Sequence, residues 1–126
     1  MIRLTSQCLA MALLAAPVAA QEIMRFDGGG LGFDLPVSGV QAEPMQAEEG
    51  DKRLALAMDG DNRRGFAAFS AQVVGQDITA TLCGHQIVAA RVQIPIESGY
   101  IMSAPLAPAL AQELADVVNG LRDCAD

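Results

Sequence analysis

Apolar and polar positions follow two different periods along this chain, and the period changes where glycines and prolines fall. Residues 31–37 alternate, with Leu31, Phe33, Leu35 and Val37 on one side, which predicts a short strand. Leu54, Leu56 and Met58 alternate with Ala55 and Ala57 and predict a second. The run Asp59-Gly60-Asp61-Asn62 then stops the alternation, and Asp59 or Asp61 can cap a helix by accepting from its free N–H groups. Phe66, Phe69 and Val73 recur at helical spacing, so that helix extends to about Val74, with Gly75 as its left-handed terminator.

Alternation returns at Ile78, Ala80 and Leu82, and again at Val88, Ala90, Val92 and Ile94. A two-residue loop at Gly84-His85 would put the two apolar sets on opposite faces. A three-residue loop over residues 83–85 places Leu82 opposite Gln86 and Ala80 opposite Val88, so an odd loop or a bulge is expected. Residues 100–103 predict one more strand. The last helix is expected to start within residues 103–108, since Pro105 and Pro108 fit only a first turn. Its apolar stripe is Leu106, Leu110, Leu114, Val117 and Leu121, with Gln112, Glu113 and Asp116 outward. The order strand–helix–strands–helix predicts an α+β fold: one antiparallel sheet with two helices on one face, in a ferredoxin-like β-α-β-β-α arrangement.

The two ends change this picture. Arg3, the apolar run over residues 8–16 and Val18-Ala19-Ala20 have the form of a signal peptide cleaved before Gln21. That run is too short to span ~30 Å of hydrocarbon. Removing residues 1–20 leaves 126 − 20 = 106 residues, one domain, with no segment long enough to cross a membrane. The expected location is periplasmic or secreted. Residues 21–52 hold the first strand and a flexible, acidic segment. Within it, residues 38–52 are expected to be an exposed linker, and residues 53–126 carry the folded domain. Without Arg3 the chain has 7 basic and 15 acidic residues, a net charge of 7 − 15 = −8, which repels phosphate backbones and excludes nucleic acid as a partner.

Candidate chemistry is sparse. Gly28-Gly29-Gly30 lacks the Lys-Ser or Lys-Thr of a phosphate loop, and Asp59-Gly60-Asp61 lacks the closing Glu of a calcium loop. Once Cys8 is removed, Cys83 and Cys124 remain, and export favours a disulfide between them. A free thiol pair or a metal pair is the alternative. An enzyme would have to use His85, the only histidine, with Ser70, Ser98 or Asp77. A copper protein would use Met24, Met45, Met58, Met102 and His85. No cofactor is implied.

Phe66, Ser70, Val74-Gly75, Ile78, Leu82, Gly84, Ile87 and Ala89 stand in a strand–helix–strand–turn–strand order, and Ala111, Leu114, Ala115 and Gly120 follow in the last helix. In these positions the chain resembles the head subdomain of the first periplasmic domain of the protein-export proteins SecD and SecDF. The resemblance covers about 65 of the 106 residues and speaks for fold more than for activity. Cys83 stands where the family has Asp, and Ala89-Ala90 where it has Ala-Pro. The resemblance implies a stand-alone, non-catalytic interaction module without the family's membrane helices. It would contact polypeptide or an envelope protein through a sheet face or edge, with Gly84 and His85 as a candidate contact turn.

Overall fold

The computed structural model describes residues 22–124. The expected signal peptide lies outside the described residues. The fold is α+β, with antiparallel pairing throughout. The strands divide between two sheets where the sequence predicts one, and each sheet carries one of the two helices.

The four-stranded sheet has the order β2 (Leu31–Pro36), β1 (Ile23–Gly28), β5 (Asp77–Leu82), β6 (His85–Arg91). The three-stranded sheet has the order β3 (Val40–Gln46), β4 (Lys52–Met58), β7 (Tyr100–Met102). Residues 38–52 are therefore not an exposed linker, because residues 40–46 form β3 and Lys52 begins β4. Val40 and Ala42 are buried while Gln41 and Glu43 are exposed, the alternation of a half-buried strand. Pro44 argued against a strand there, but β3 lies at a sheet edge, where a missing N–H is tolerated. Likewise β1, not foreseen from the sequence, contributes the fully buried Met24 and Phe26 to the middle of its sheet.

Helix α1 (Gly60–Gln72) begins at Asp59, whose carboxylate accepts the Asn62 N–H at 3.3 Å. It lays Phe66 and Phe69 against β1 and β2. Phe26 and Phe66 lie 4.9 Å apart, and Phe33 and Phe69 stack at 5.6 Å, so all four phenylalanines of the chain form one cluster. Helix α2 (Pro108–Val118) packs on the three-stranded sheet through Ala111, Leu114, Ala115, Val117 and Val118. It starts at Pro108, the last position of the expected range. Ala104 and Ala107 each precede a proline, which disfavours helical ψ, and Ala107 is extended at ψ 143°. Residues 103–107 continue alongside β4 instead, where Lys52 and Leu106 exchange backbone hydrogen bonds of 2.9 and 2.7 Å. The helical stripe also ends sooner than expected, as Leu121 is 73% exposed. One continuous hydrophobic core joins both sheets and both helices.

Two buried hydroxyls hold the segments on either side of β7 in place. Ser70 Oγ donates to the Ala67 carbonyl (3.0 Å) and accepts the Ile96 N–H (2.8 Å). Ser103 Oγ accepts the Leu54 N–H (2.8 Å) and donates to the Ala104 carbonyl (2.7 Å).

Candidate functional site

The β5–β6 hairpin closes through a two-residue turn, Cys83-Gly84, with Leu82 opposite His85. Both turn residues have positive φ, 53° and 77°, as a hairpin turn matching the strand twist requires. For Cys83 that conformation is costly, and its side chain is held by a disulfide to Cys124 with the Cα atoms 5.3 Å apart. The apolar sets share a face because the register shifts between Ala80 and Thr81. Thr81 faces Gln86, Ala80 faces Val88, and the extra residue, Ile87, is fully buried. The turn is thus two residues and a bulge, not the three-residue loop, and the Ala80–Val88 pairing is the one expected.

The disulfide also fixes the end of the chain. At the C-terminus of α2, Gly120 (φ 80°) donates to the Val117 carbonyl at 3.1 Å and Leu121 to that of Asp116 at 2.8 Å. This Schellman geometry turns the chain sharply away from the helix. Beyond it, the Cys124 N–H reaches the Glu22 carboxylate at 3.3 Å. Arg122 and Asp123 then line one side of a groove of about 920 Å³, with Val117 and Asn119. The other side is Gln41, Glu43, Ala55, Ala57 and Tyr100 from the outer face of the three-stranded sheet. Met45, Tyr100 and Met102 are exposed on that same face.

The β3 edge of this sheet is closed, and one N–H of the short β7 edge is taken. Asn119 Oδ1 accepts the Ala42 N–H (3.0 Å) and its Nδ2 donates to the Ala42 carbonyl (2.9 Å), so the amide occupies the outer edge of β3. Pro44, the next outward residue of β3, has no N–H to offer. On β7, Met58 donates to Gly99 (2.8 Å) and Ser103 to Leu54 (2.9 Å), which turns Tyr100 and Met102 outward. Ser98 Oγ accepts the Tyr100 N–H at 3.2 Å.

Gly84 and His85 are both exposed at the hairpin tip. The residues a histidine enzyme would recruit lie elsewhere. Ser70 is fully buried and bonded to backbone, Ser98 serves Tyr100, and Asp77 pairs with Arg91 at 3.2 Å. Asp77 stands at the opposite end of β5 from Leu82, roughly 17 Å along a strand. The methionines are also dispersed. Met24 and Met58 are core, and Met45 and Met102 lie on strands separated by β4 in the sheet that does not contain His85. Among the described residues no three of His, Cys, Asp and Glu come together as a metal site. The Asn119 cap and the Glu22 tie escaped the sequence reading, since each depends on contacts between distant segments.

No protein-family model and no curated protein matches the sequence. Solved structures do match its fold. One is described as a membrane component SecDF that enhances protein export. It superposes with a TM-score of 0.65 at 16% identity, over 91% of this chain and 68% of that one. The other, SecDF in a super-membrane-facing form, gives 0.57 at 19% identity over 74% of this chain and 13% of that one. The fold class is therefore that of a SecDF-like α+β domain. At 91% of the chain, the likeness extends beyond residues 54–120 that carry the sequence resemblance. None of the helices among the described residues is long and apolar enough to cross a membrane.

Proposed function

We propose that this chain is a small, secreted, non-catalytic binding module of the SecDF head type, acting in the periplasm on polypeptide or on an envelope protein. The fold likeness over 91% of the chain carries this reading. The site geometry supports it. The surface offers sheet faces and edges in place of a converging set of acid, base and nucleophile, and such surfaces recognise extended chains by backbone pairing and shape. The acidic balance adds a preference for neutral or basic segments.

The test is direct binding of a permanently unfolded polypeptide, reduced and carboxymethylated, to the mature protein by fluorescence anisotropy. Saturable binding that a folded control protein does not reproduce is the expected result. Absence of binding together with capture of one folded envelope protein from periplasmic extract would replace the polypeptide with that partner. Turnover of a substrate dependent on His85 would overturn the non-catalytic reading.

A further inference from the structure

The β3 edge of the three-stranded sheet is capped and its β7 edge is only three residues long, with the Tyr100 N–H taken by Ser98, whereas the seven-residue β6 at the edge of the four-stranded sheet is open. Its hydrogen-bond parity can be read from the backbone. Val92 donates to Gln76 (3.0 Å) and Gly75 to Val92 (2.7 Å), so the even residues Val92, Ala90 and Val88 face β5. The odd residues Ile87, Ala89 and Arg91 therefore face outward. Ile87 spends its carbonyl on the Ala104 N–H at 2.8 Å. Among the described residues, the backbone groups of Ala89 and Arg91 have no partner.

Past the bulge at Ile87, nothing on β6 blunts this edge. It contains no proline, and Ala89 and Ala90 are small and exposed. The one charge, Arg91, is turned back onto Asp77 and the Gly75 carbonyl, both at 3.2 Å. The opposite edge differs: β2 carries Asp34 and ends in Pro36, devices that discourage pairing. Just beyond β6, Ile94 is 71% exposed and extends the neutral surface.

We infer that β6 accepts an extended polypeptide segment as an added strand, hydrogen-bonded to Ala89 and Arg91. This rests on the polypeptide-binding reading above and gives it a place and a mode. A second copy of the chain is the poorer occupant. Pairing two such short edges would bury on the order of a few hundred Å², against roughly 1,200–2,000 Å² in stable complexes. It would also bring two acidic molecules together. A flexible segment with neutral, alternating β-forming side chains meets neither obstacle. Affinity from backbone pairing is also tolerant of sequence.

The test uses a dye-labelled peptide of alternating valine and threonine, kept soluble by terminal lysines, in 0.15 M salt to screen net charge. Ala89→Pro removes an outward N–H while leaving the β5 ladder intact, and it does not change the charge that attracts the lysines. Binding should weaken by about tenfold or more in Ala89→Pro at unchanged circular dichroism. In the wild-type protein, peptide should slow amide exchange at Ala89 and Arg91, while the Ala90 amide is protected already. This second readout decides the matter if the proline variant does not fold. Equal binding by folded Ala89→Pro, or no change at the Ala89 and Arg91 amides on saturation, overturns the β6 assignment and leaves polypeptide binding standing. A wild-type protein that binds carboxymethylated polypeptide but not the peptide also overturns it. Binding of neither overturns both readings. Concentration-dependent dimerisation in sedimentation, abolished by Ala89→Pro, assigns the edge to a second copy and overturns the inference.

Discussion

Phe66 and His85 represent the two kinds of residue in this molecule. Phe66 is fully buried and touches the rings of Phe26, Phe33 and Phe69. Removing its ring leaves a void in the one cluster that ties α1 to β1 and β2. Phe66→Ala should cost roughly 3–5 kcal/mol, read as a lower midpoint in urea unfolding. His85 is exposed at the turn, and His85→Ala should shift stability by no more than about 0.5 kcal/mol in the same measurement. At this scale the sequence was informative. The helical spacing of Phe66, Phe69 and Val73 identified a buried stripe because the 3.6-residue period constrains which side chains share a face. It overreached at Leu121 and Ile94, which continue a period but lie past the end of their elements.

Elements here are held by ties between distant segments. The Cys83–Cys124 disulfide spans 41 residues and anchors the C-terminal segment to the β5–β6 turn. Restricting that loop in the unfolded chain stabilises the fold by roughly 3–4 kcal/mol in the entropic model. Cys83→Ser should therefore cost about 2–4 kcal/mol, and loss under reducing conditions should match it in the wild-type protein. The Asn119 amide does related work on β3. Asn119→Ala leaves the Ala42 N–H and carbonyl without their partner and should cost about 1–2 kcal/mol by chemical denaturation. The disulfide was legible once the signal-like segment was set aside, because only two cysteines remained. The strand β3 was not, because Pro44 and the acidic residues around it resemble a solvated loop, and only its place at a sheet edge reconciles them with a strand. The division into two sheets was equally hidden. Alternation states which face of a strand is buried but not which strand lies beside it.

For the whole molecule, secretion and a non-catalytic, surface-based role are the two parts of the proposal. Mass spectrometry of exported protein should find Gln21 at the N-terminus, free or cyclised; an intact Met1 would remove the argument for an oxidising compartment. Sequence resemblance and fold likeness both lead to SecDF, by different routes. One used core and turn positions in residues 54–120, and the other superposes 91% of the chain. The N-terminal strands added little to the sequence resemblance, because edge and hairpin residues are chosen for pairing and few are diagnostic. The interaction surface was harder still to foresee. Whether an edge is open depends on which side chains cap it, and Asn119, Ser98 and Pro44 act from three different segments.

The central claim, that binding resides in sheet surface and not in a reactive side chain, is tested most directly by titrating carboxymethylated polypeptide into the wild-type protein and into His85→Ala. The account predicts saturable binding to both, with affinities within about twofold, since an exposed turn side chain contributes little to backbone pairing. Loss of binding in a fully folded His85→Ala protein, or absence of binding to the wild type, would contradict it.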